Sequence, residues 1–192
     1  MGESEMAVRF ARGRWRSAED RLFGSLLADP ASYQRGVGAV QAVVAELRTR
    51  VDDAAGLVAA GERAEEIVAA ACPDGVGLPA ELVVGAASAM LDRELTADRE
   101  QRRRTDVMDA ARAAGRAWAV VDGPAEVEDL TEGRMVAVHL ATGTVVQATV
   151  DPWAREGAFA VEVMPGGELR SFGDRAEWLA ELRRLRAQVD PS

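Results

Sequence analysis

Residues 134–150, RMVAVHLATGTVVQATV, distinguish this chain from an all-helical protein. Apolar residues flank Thr142-Gly143, a pattern typical of two strands joined by a tight turn. One face of the predicted hairpin carries Val136, Val138, Leu140 and Val145, and the other carries Met135, Val146, Ala148 and Val150. Because both faces are apolar, we expect a C-terminal helix to cover one, and the N-terminal helices or a second protein to cover the other.

The sequence around this hairpin predicts a small α+β unit. Further strands are predicted at residues 118–121, 158–164 and 168–172. The last element is a predicted helix, with Asp174 as its N-cap and an apolar face that begins at Trp178. We therefore expect an antiparallel sheet of four or five strands with a helix on it.

The N-terminal half has the period of helices. We expect a first helix capped by Ser17 and a second helix that begins at Asp29-Pro30. The second helix carries a heptad-like seam of Tyr33, Val37, Val40, Val44, Leu47 and Val51. Residues 31–72 form either one long helix or a hairpin, and we expect a hairpin broken near Asp52-Asp53 because one helix would exceed the span of a small domain.

The predicted fold class is α+β, with an N-terminal helical bundle followed by a small antiparallel sheet and a C-terminal helix. We divide the chain into an arm (1–16), an acidic helical domain (17–95), a polar connector (96–106) and an α+β domain (107–192). The connector is either an exposed helix or a linker, and it lies between a helix predicted to begin at Pro79 and a short helix predicted over Asp106–Ala114. The net charge is −9, and residues 51–100 contribute most of it, with 3 Arg against 11 Asp and Glu. This asymmetry favours self-association or docking to a partner.

The composition excludes several chemistries. All 23 basic side chains are arginines, which indicates a GC-rich bacterial coding bias and leaves no lysine for a Schiff base or a phosphate loop. With one histidine, His139, and one cysteine, Cys72, the usual zinc sites and internal disulfides are excluded. We predict no catalytic residue, cofactor or metal. Because the N-terminal segment lacks an apolar stretch of signal-peptide length, we expect a cytoplasmic protein.

The leading functional hypothesis is a non-enzymatic interaction or regulatory protein that acts through the helical seam and the sheet face. It predicts a protein partner or a homodimer. The candidate contacts are Trp153 and Arg155, which lie in a connection between strands, and the seam residues Tyr33, Val37, Val40, Val44 and Leu47.

Two other function classes stay open. An arginine-led nucleic-acid-binding accessory factor would use Arg9, Arg12, Arg14, Arg16, Arg102, Arg103 and Arg104, with Phe10 and Trp15 interleaved in the first group. A hydrolase or transferase would use carboxylates or His139, but His139 and Cys72 also fit small buried positions. The loop DGVGLPA (74–80) resembles a dinucleotide-binding pattern, yet it follows a predicted helix and we interpret it as a helix-to-helix connection.

Overall fold

The computed structural model describes residues 3–154 and 157–189. Its contacts divide the chain into two compact units, Met1–Arg99 and Glu100–Ser192. The first unit is helical, and the second contains a five-stranded antiparallel sheet and a C-terminal helix. The α+β fold class is confirmed. Among the described residues, no helix combines the length and the apolar character that crossing a bilayer requires.

The helices of the first unit occupy nearly all of its described residues. They are α1 (Glu3–Leu26), α2 (Pro30–Arg48), α3 (Ala54–Gly61), α4 (Ala64–Ala71) and the first part of α5 (Ala80–Ala113). Their buried faces share one apolar core, which includes Leu22, Leu47, Leu57, Ile67 and Leu91.

The start of α1 differs from the prediction. Ser17 is not an N-cap, because α1 already begins at Glu3 and includes the described part of the predicted arm. The physical reason is that the apolar face continues upstream of Ser17 through Ala11 and Trp15, both buried in the core.

The second helix begins where predicted but ends at Arg48, before Val51 and the predicted break near Asp52-Asp53. The Asp29 side chain accepts hydrogen bonds from the backbone N–H groups of Ala31 and Ser32, and Pro30 is the first helical residue. After α2 ends at Arg48, Asp53 caps α3 by accepting from the Gly56 N–H at 2.8 Å. One continuous helix over 31–72 is therefore excluded, and the returning segment is itself divided into α3 and α4.

The fifth helix is continuous through the predicted connector, so residues 96–106 are helical rather than a linker. Between Pro79 and Gly115 it contains no proline and one glycine, Gly85. In the polar part, 96–106, Glu100 forms ion pairs with Arg103 and Arg104 at i,i+3 and i,i+4. Such pairs support a helix that lacks an apolar face. The helix ends at Ala113, and Gly115 follows it with a φ of 66°, which suits a helix C-terminus.

The sheet of the second unit is an antiparallel meander in the order β1-β2-β3-β4-β5. Its strands are β1 (Trp118–Asp122), β2 (Gly133–His139), β3 (Val145–Val150), β4 (Phe159–Met164) and β5 (Arg170–Phe172). A short 3-10 helix, Val127–Asp129, lies between β1 and β2.

The predicted hairpin is formed by β2 and β3, and its two faces are the predicted ones. Met135 pairs with Ala148 on one face, and Val138 pairs with Val145 on the other. The connection is longer than the predicted two-residue turn, because the His139 N–H donates to the Thr144 carbonyl at 2.8 Å and leaves residues 140–143 as the loop.

Both faces of the sheet are packed within the second unit. On one face, Trp178 and Leu182 of α6 (Arg175–Val189) join a core with Met135, Ala148 and Val161. On the other face, Val107, Met108 and Ala111 of α5 pack against Ala119 and Val121 of β1, together with residues of β2 and Leu140. The predicted N-cap of α6 is confirmed, since the Asp174 carboxylate accepts from the N–H groups of residues 176 and 177.

Candidate partner-binding site

A groove of about 1070 Å³ runs along β1 in the second unit. Its floor is the outer edge of residues 117–120, which are Ala117 and the first three residues of β1. The end of α5 forms one wall, and the end of α6 forms the other. The two helices lie on opposite faces of the sheet, so this edge is enclosed from both sides but is not covered by a neighbouring strand. We call this feature the β1 groove.

The outer edge of β1 presents unpaired backbone groups to this groove. The Leu140 N–H donates to the Ala117 carbonyl at 2.8 Å, so residue 117 faces β2. In an antiparallel ladder the direction of the backbone N–H and C=O groups alternates from residue to residue. The backbone groups of Ala119 therefore also point at β2, while those of Trp118 and Val120 point outward. Within the described part of the chain, β1 pairs only with β2. Its outward N–H and C=O groups can accept a further strand.

The alternation breaks near the end of β1, where the pairing with β2 shifts register between Val120 and Asp122, and there a side chain closes the edge. Arg103 of α5 donates from Nη2 to the Val121 carbonyl oxygen at 3.1 Å. The same guanidinium pairs with Glu100 at 3.0 Å, and this hydrogen bond lowers the pKa of the Glu100 carboxyl. The edge that remains available is therefore short, and it is centred on Trp118 and Val120.

The two walls of the β1 groove differ in chemistry. The α5 wall consists of small apolar side chains: Val107, Ala110, Ala111 and Ala114. The α6 wall carries Arg183 and Arg186, and Arg116 lies where α5 ends. Among the described lining residues Glu126 is the acidic one, so three arginines and one glutamate give a local charge of +2. This positive lining contrasts with the net charge of −9 for the chain.

Arg183 also contacts an acidic neighbour outside the groove lining. Its Nη2 lies 3.3 Å from Glu128 Oε1, and both side chains are more than half exposed. The pKa of Glu128 is lowered, first by a backbone hydrogen bond and then by Arg183. Exposed ion pairs are weak, so a second carboxylate can compete for Arg183.

Trp153 lies on an exposed turn in the predicted connection between strands. The side chain is 88% exposed, and its backbone N–H donates to the Asp151 carboxylate at 3.0 Å. It borders an open concavity of about 620 Å³ with Gln147 and Thr149 of β3. Arg155, the other predicted contact of this turn, lies outside the described residues.

The predicted helical seam lies in the core of the first unit. Val40, Val44 and Leu47 are buried there, and Tyr33 and Val37 are partly buried. Tyr33 also packs against Phe23 of α1, with ring centroids 5.6 Å apart. The seam packs against other helices of the first unit, so its buried residues are not available to a partner in this structure.

The predicted nucleic-acid-binding arginines divide into paired and exposed groups. Arg12 binds the Asp92 carboxylate through two hydrogen bonds of 2.8 and 2.9 Å, and this contact raises the pKa of its guanidinium. Arg103 and Arg104 both pair with Glu100. Arg9, Arg14, Arg16 and Arg102 are exposed and form no ion pair with another described residue. Phe10, 70% exposed, lies on α1 next to Arg9 and one turn before Arg14.

His139 and Cys72 occupy structural positions. His139 is buried, its Nδ1 lies 2.9 Å from Thr142 Oγ1, and it accepts from the Thr142 N–H at 3.3 Å. Its ring packs on Trp118 at 5.0 Å, so the histidine shapes the β2–β3 loop. Cys72 is partly buried at the end of α4.

The remaining chemical candidates also have structural roles. The loop 74–80 joins α4 to α5, and no strand precedes it. Glu66 pairs with Arg63 and Arg50, and Arg63 lowers its pKa. Over residues 3–154 and 157–189, no group of three or more His, Cys, Asp or Glu side chains could hold a metal ion.

The β1 groove itself was missed by the sequence interpretation. Trp118 and Val120 were recognised as strand residues, but a sequence does not show which strand lies at an edge. A partial signal was available in the predicted α6 helix, where Arg183 and Arg186 are three residues apart and thus share a helix face.

No family model matches this chain, and neither the curated proteins nor the solved structures compared with it give a match.

Proposed function

We propose that this protein is a non-enzymatic interaction protein, and that its second unit binds an extended segment of a protein partner at the β1 groove. The observation that carries the proposal is the outward edge of β1, enclosed by α5 and α6 on the two faces of the sheet. Proteins commonly recognise extended peptides by adding a strand to such an edge.

The size of the edge suits a short segment. β1 has five residues, Trp118–Asp122, and Arg103 occupies the carbonyl of Val121 near its end. A strand beside Trp118 and Val120 would exchange up to four backbone hydrogen bonds, each contributing about 0.5–1.5 kcal/mol. Such an interaction is of moderate strength, which fits a regulatory or adaptor role.

A library of random peptides of about nine residues, displayed on yeast and probed with the labelled full chain, tests this proposal. We expect selected peptides to lose binding to a Val120→Pro variant, because the proline removes an outward N–H from the edge. The matched control is Trp153→Ala, which changes an exposed side chain elsewhere in the second unit.

The two variants separate the outcomes. Binding that is lost in Val120→Pro and retained in Trp153→Ala supports strand addition at β1. The opposite pattern would place the contact at the Trp153 turn and would overturn the proposal, as would a library that yields no binder.

A second candidate function, nucleic-acid binding, is favoured by one observation on α1. Phe10 is exposed and lies beside the exposed Arg9 and Arg14, an arrangement that can stack a base and contact phosphates. A gel-shift assay at ~50 mM salt tests it, with Phe10→Ala as the diagnostic variant. Absence of a shift with both duplex and single-stranded DNA would exclude this candidate.

A further inference from the structure

We infer that the segment bound in the β1 groove alternates acidic and apolar residues, with its acidic side chains directed at α6 and its apolar ones at α5. This inference rests on the proposed function, and it specifies the chemistry of the partner. The β1 groove is built differently on its two sides, and a strand presents different side chains to those two sides.

The alternation follows from strand geometry. Successive side chains of a strand point to opposite faces of the sheet. A segment paired with Trp118 and Val120 extends the same sheet, so every second side chain faces the α5 wall and the others face the α6 wall. A ligand whose side chains alternate between two chemical types therefore directs one type at the α5 wall and the other at the α6 wall.

The α5 wall accepts apolar side chains. Ala110, Ala111 and Ala114 are small, and Val107 is the largest residue of this wall. Because the side chains of this wall are small, they leave room for larger ligand side chains. Burying an apolar ligand side chain there removes its surface from water. A charged side chain directed at this wall would lose hydration without gaining a partner.

The α6 wall selects negative charge. Arg183 and Arg186 lie on it, and Arg116 lies at the end of the groove. Their guanidinium groups can form paired hydrogen bonds with carboxylates, and Glu126 is the acidic side chain opposing them within the described lining. The existing Arg183–Glu128 contact is exposed, so it opposes ligand binding only weakly.

A second copy of this chain fits the β1 groove less well. Antiparallel pairing of β1 with its own copy places a two-fold axis perpendicular to the sheet, which keeps both α6 helices on the same face. The Arg183 and Arg186 side chains of the two copies would then approach each other, and like charges repel. In addition, α5 and α6 flank the β1 edge on both faces of the sheet. The β1 groove therefore has room for one added strand, but not for a second sheet that carries its own helices.

The test measures fluorescence anisotropy of labelled peptides of about seven residues with the full chain at ~50 mM salt. The peptides are an alternating Asp/Val sequence, a block isomer of the same composition, an alternating Lys/Val sequence and the Asp/Val peptide with N-methylated backbone. We expect the alternating Asp/Val peptide to bind about tenfold more tightly than either its block isomer or the Lys/Val peptide.

Protein variants locate the preference on α6. The double variant Arg183→Gln with Arg186→Gln is expected to reduce the tenfold preference to about twofold or less. The matched control is Arg184→Gln, an exposed arginine of the same helix that pairs with Glu181 and does not line the β1 groove. Arg116→Gln at the open end provides a second variant, and far-UV circular dichroism checks that each variant is folded.

Each outcome has one interpretation. Equal or tighter binding of the Lys/Val peptide, no binding by any peptide, or equal competition by single-stranded DNA of the same charge would overturn the inference. If peptides bind without an acidic preference but N-methylation or Val120→Pro abolishes binding, strand addition stands and the acidic specificity fails. If binding is insensitive to both changes, the proposed function fails as well.

Discussion

Trp178 donates a hydrogen bond from its indole Nε1 to the Ala160 carbonyl oxygen at 2.9 Å, which joins α6 to β4. The indole is fully buried, and it packs on Phe159 with ring centroids 5.4 Å apart. One side chain thus fixes α6 on the sheet by both packing and hydrogen bonding. The α6 wall of the β1 groove depends on this attachment.

Trp178→Phe is expected to lower the free energy of unfolding by about 2–3 kcal/mol, because it leaves a cavity and removes the donor to Ala160. Urea denaturation followed by far-UV circular dichroism measures the change. Trp153→Phe is the matched control and is expected to change stability by less than about 0.5 kcal/mol, since that side chain is exposed. Equal effects of the two substitutions would contradict this account of α6.

Two neighbouring proline substitutions test which backbone groups of β1 face outward. Ala119→Pro is expected to cost about 3 kcal/mol, because it removes an N–H that faces β2. Val120→Pro is expected to cost about 1 kcal/mol or less, because its N–H faces the groove and proline is tolerated at such edge positions. Thermal unfolding of both variants measures the difference, and the reverse order would show that the assigned direction of the β1 backbone is wrong.

The sequence was sufficient for features that depend on local chemistry. The caps at Asp29 and Asp174 follow from side chains that accept from nearby N–H groups, and the two faces of the β2–β3 hairpin follow from strict alternation. The sequence left residues 96–106 as either an exposed helix or a linker, because that part has no apolar face; ion pairs such as Glu100–Arg103 support it as a helix.

The candidate site was less accessible to sequence interpretation than the fold. The β1 groove exists because strand pairing leaves β1 at an edge, and pairing order is a property of the whole sheet. Arg103 and Val121 are eighteen positions apart, and their hydrogen bond follows from how α5 packs on β1. Asp151 and Pro152 place Trp153 in a connection between strands, but the sequence did not decide whether its side chain is exposed or packs back over the sheet edge.

The ion pair of Arg12 and Asp92 gives a further prediction about the first unit. Asp92 is 8% exposed and accepts two hydrogen bonds from Arg12. Arg12→Leu is expected to lower the free energy of unfolding by about 2 kcal/mol, because it leaves a buried carboxylate without this partner.

The double variant Arg12→Leu with Asp92→Leu distinguishes a lost attraction from an unpaired charge. We expect it to recover most of the loss, since apolar pairs often replace buried ion pairs without cost. A double-mutant cycle by urea denaturation measures the coupling. If the double variant is as unstable as the sum of the two single variants, burial of the Asp92 charge is not the cause.

Glu19 makes the stability of the first unit depend on pH. Arg93 donates to both carboxylate oxygens at 2.7 and 2.8 Å, and this contact lowers the pKa of Glu19 below its ordinary value of 4.5. A lowered pKa in the folded state means that the unfolded chain binds a proton more readily, so the contribution to stability is present above pH 4.5 and is lost as the pH falls through the folded-state pKa.

We therefore expect Glu19→Gln to reduce stability at neutral pH and to flatten the loss of stability on acidification. Urea denaturation over this pH range measures both effects, with Glu62→Gln, an exposed glutamate without an ion pair among the described residues, as the control. Parallel stability curves for Glu19→Gln and the unsubstituted protein would contradict the role given to Arg93.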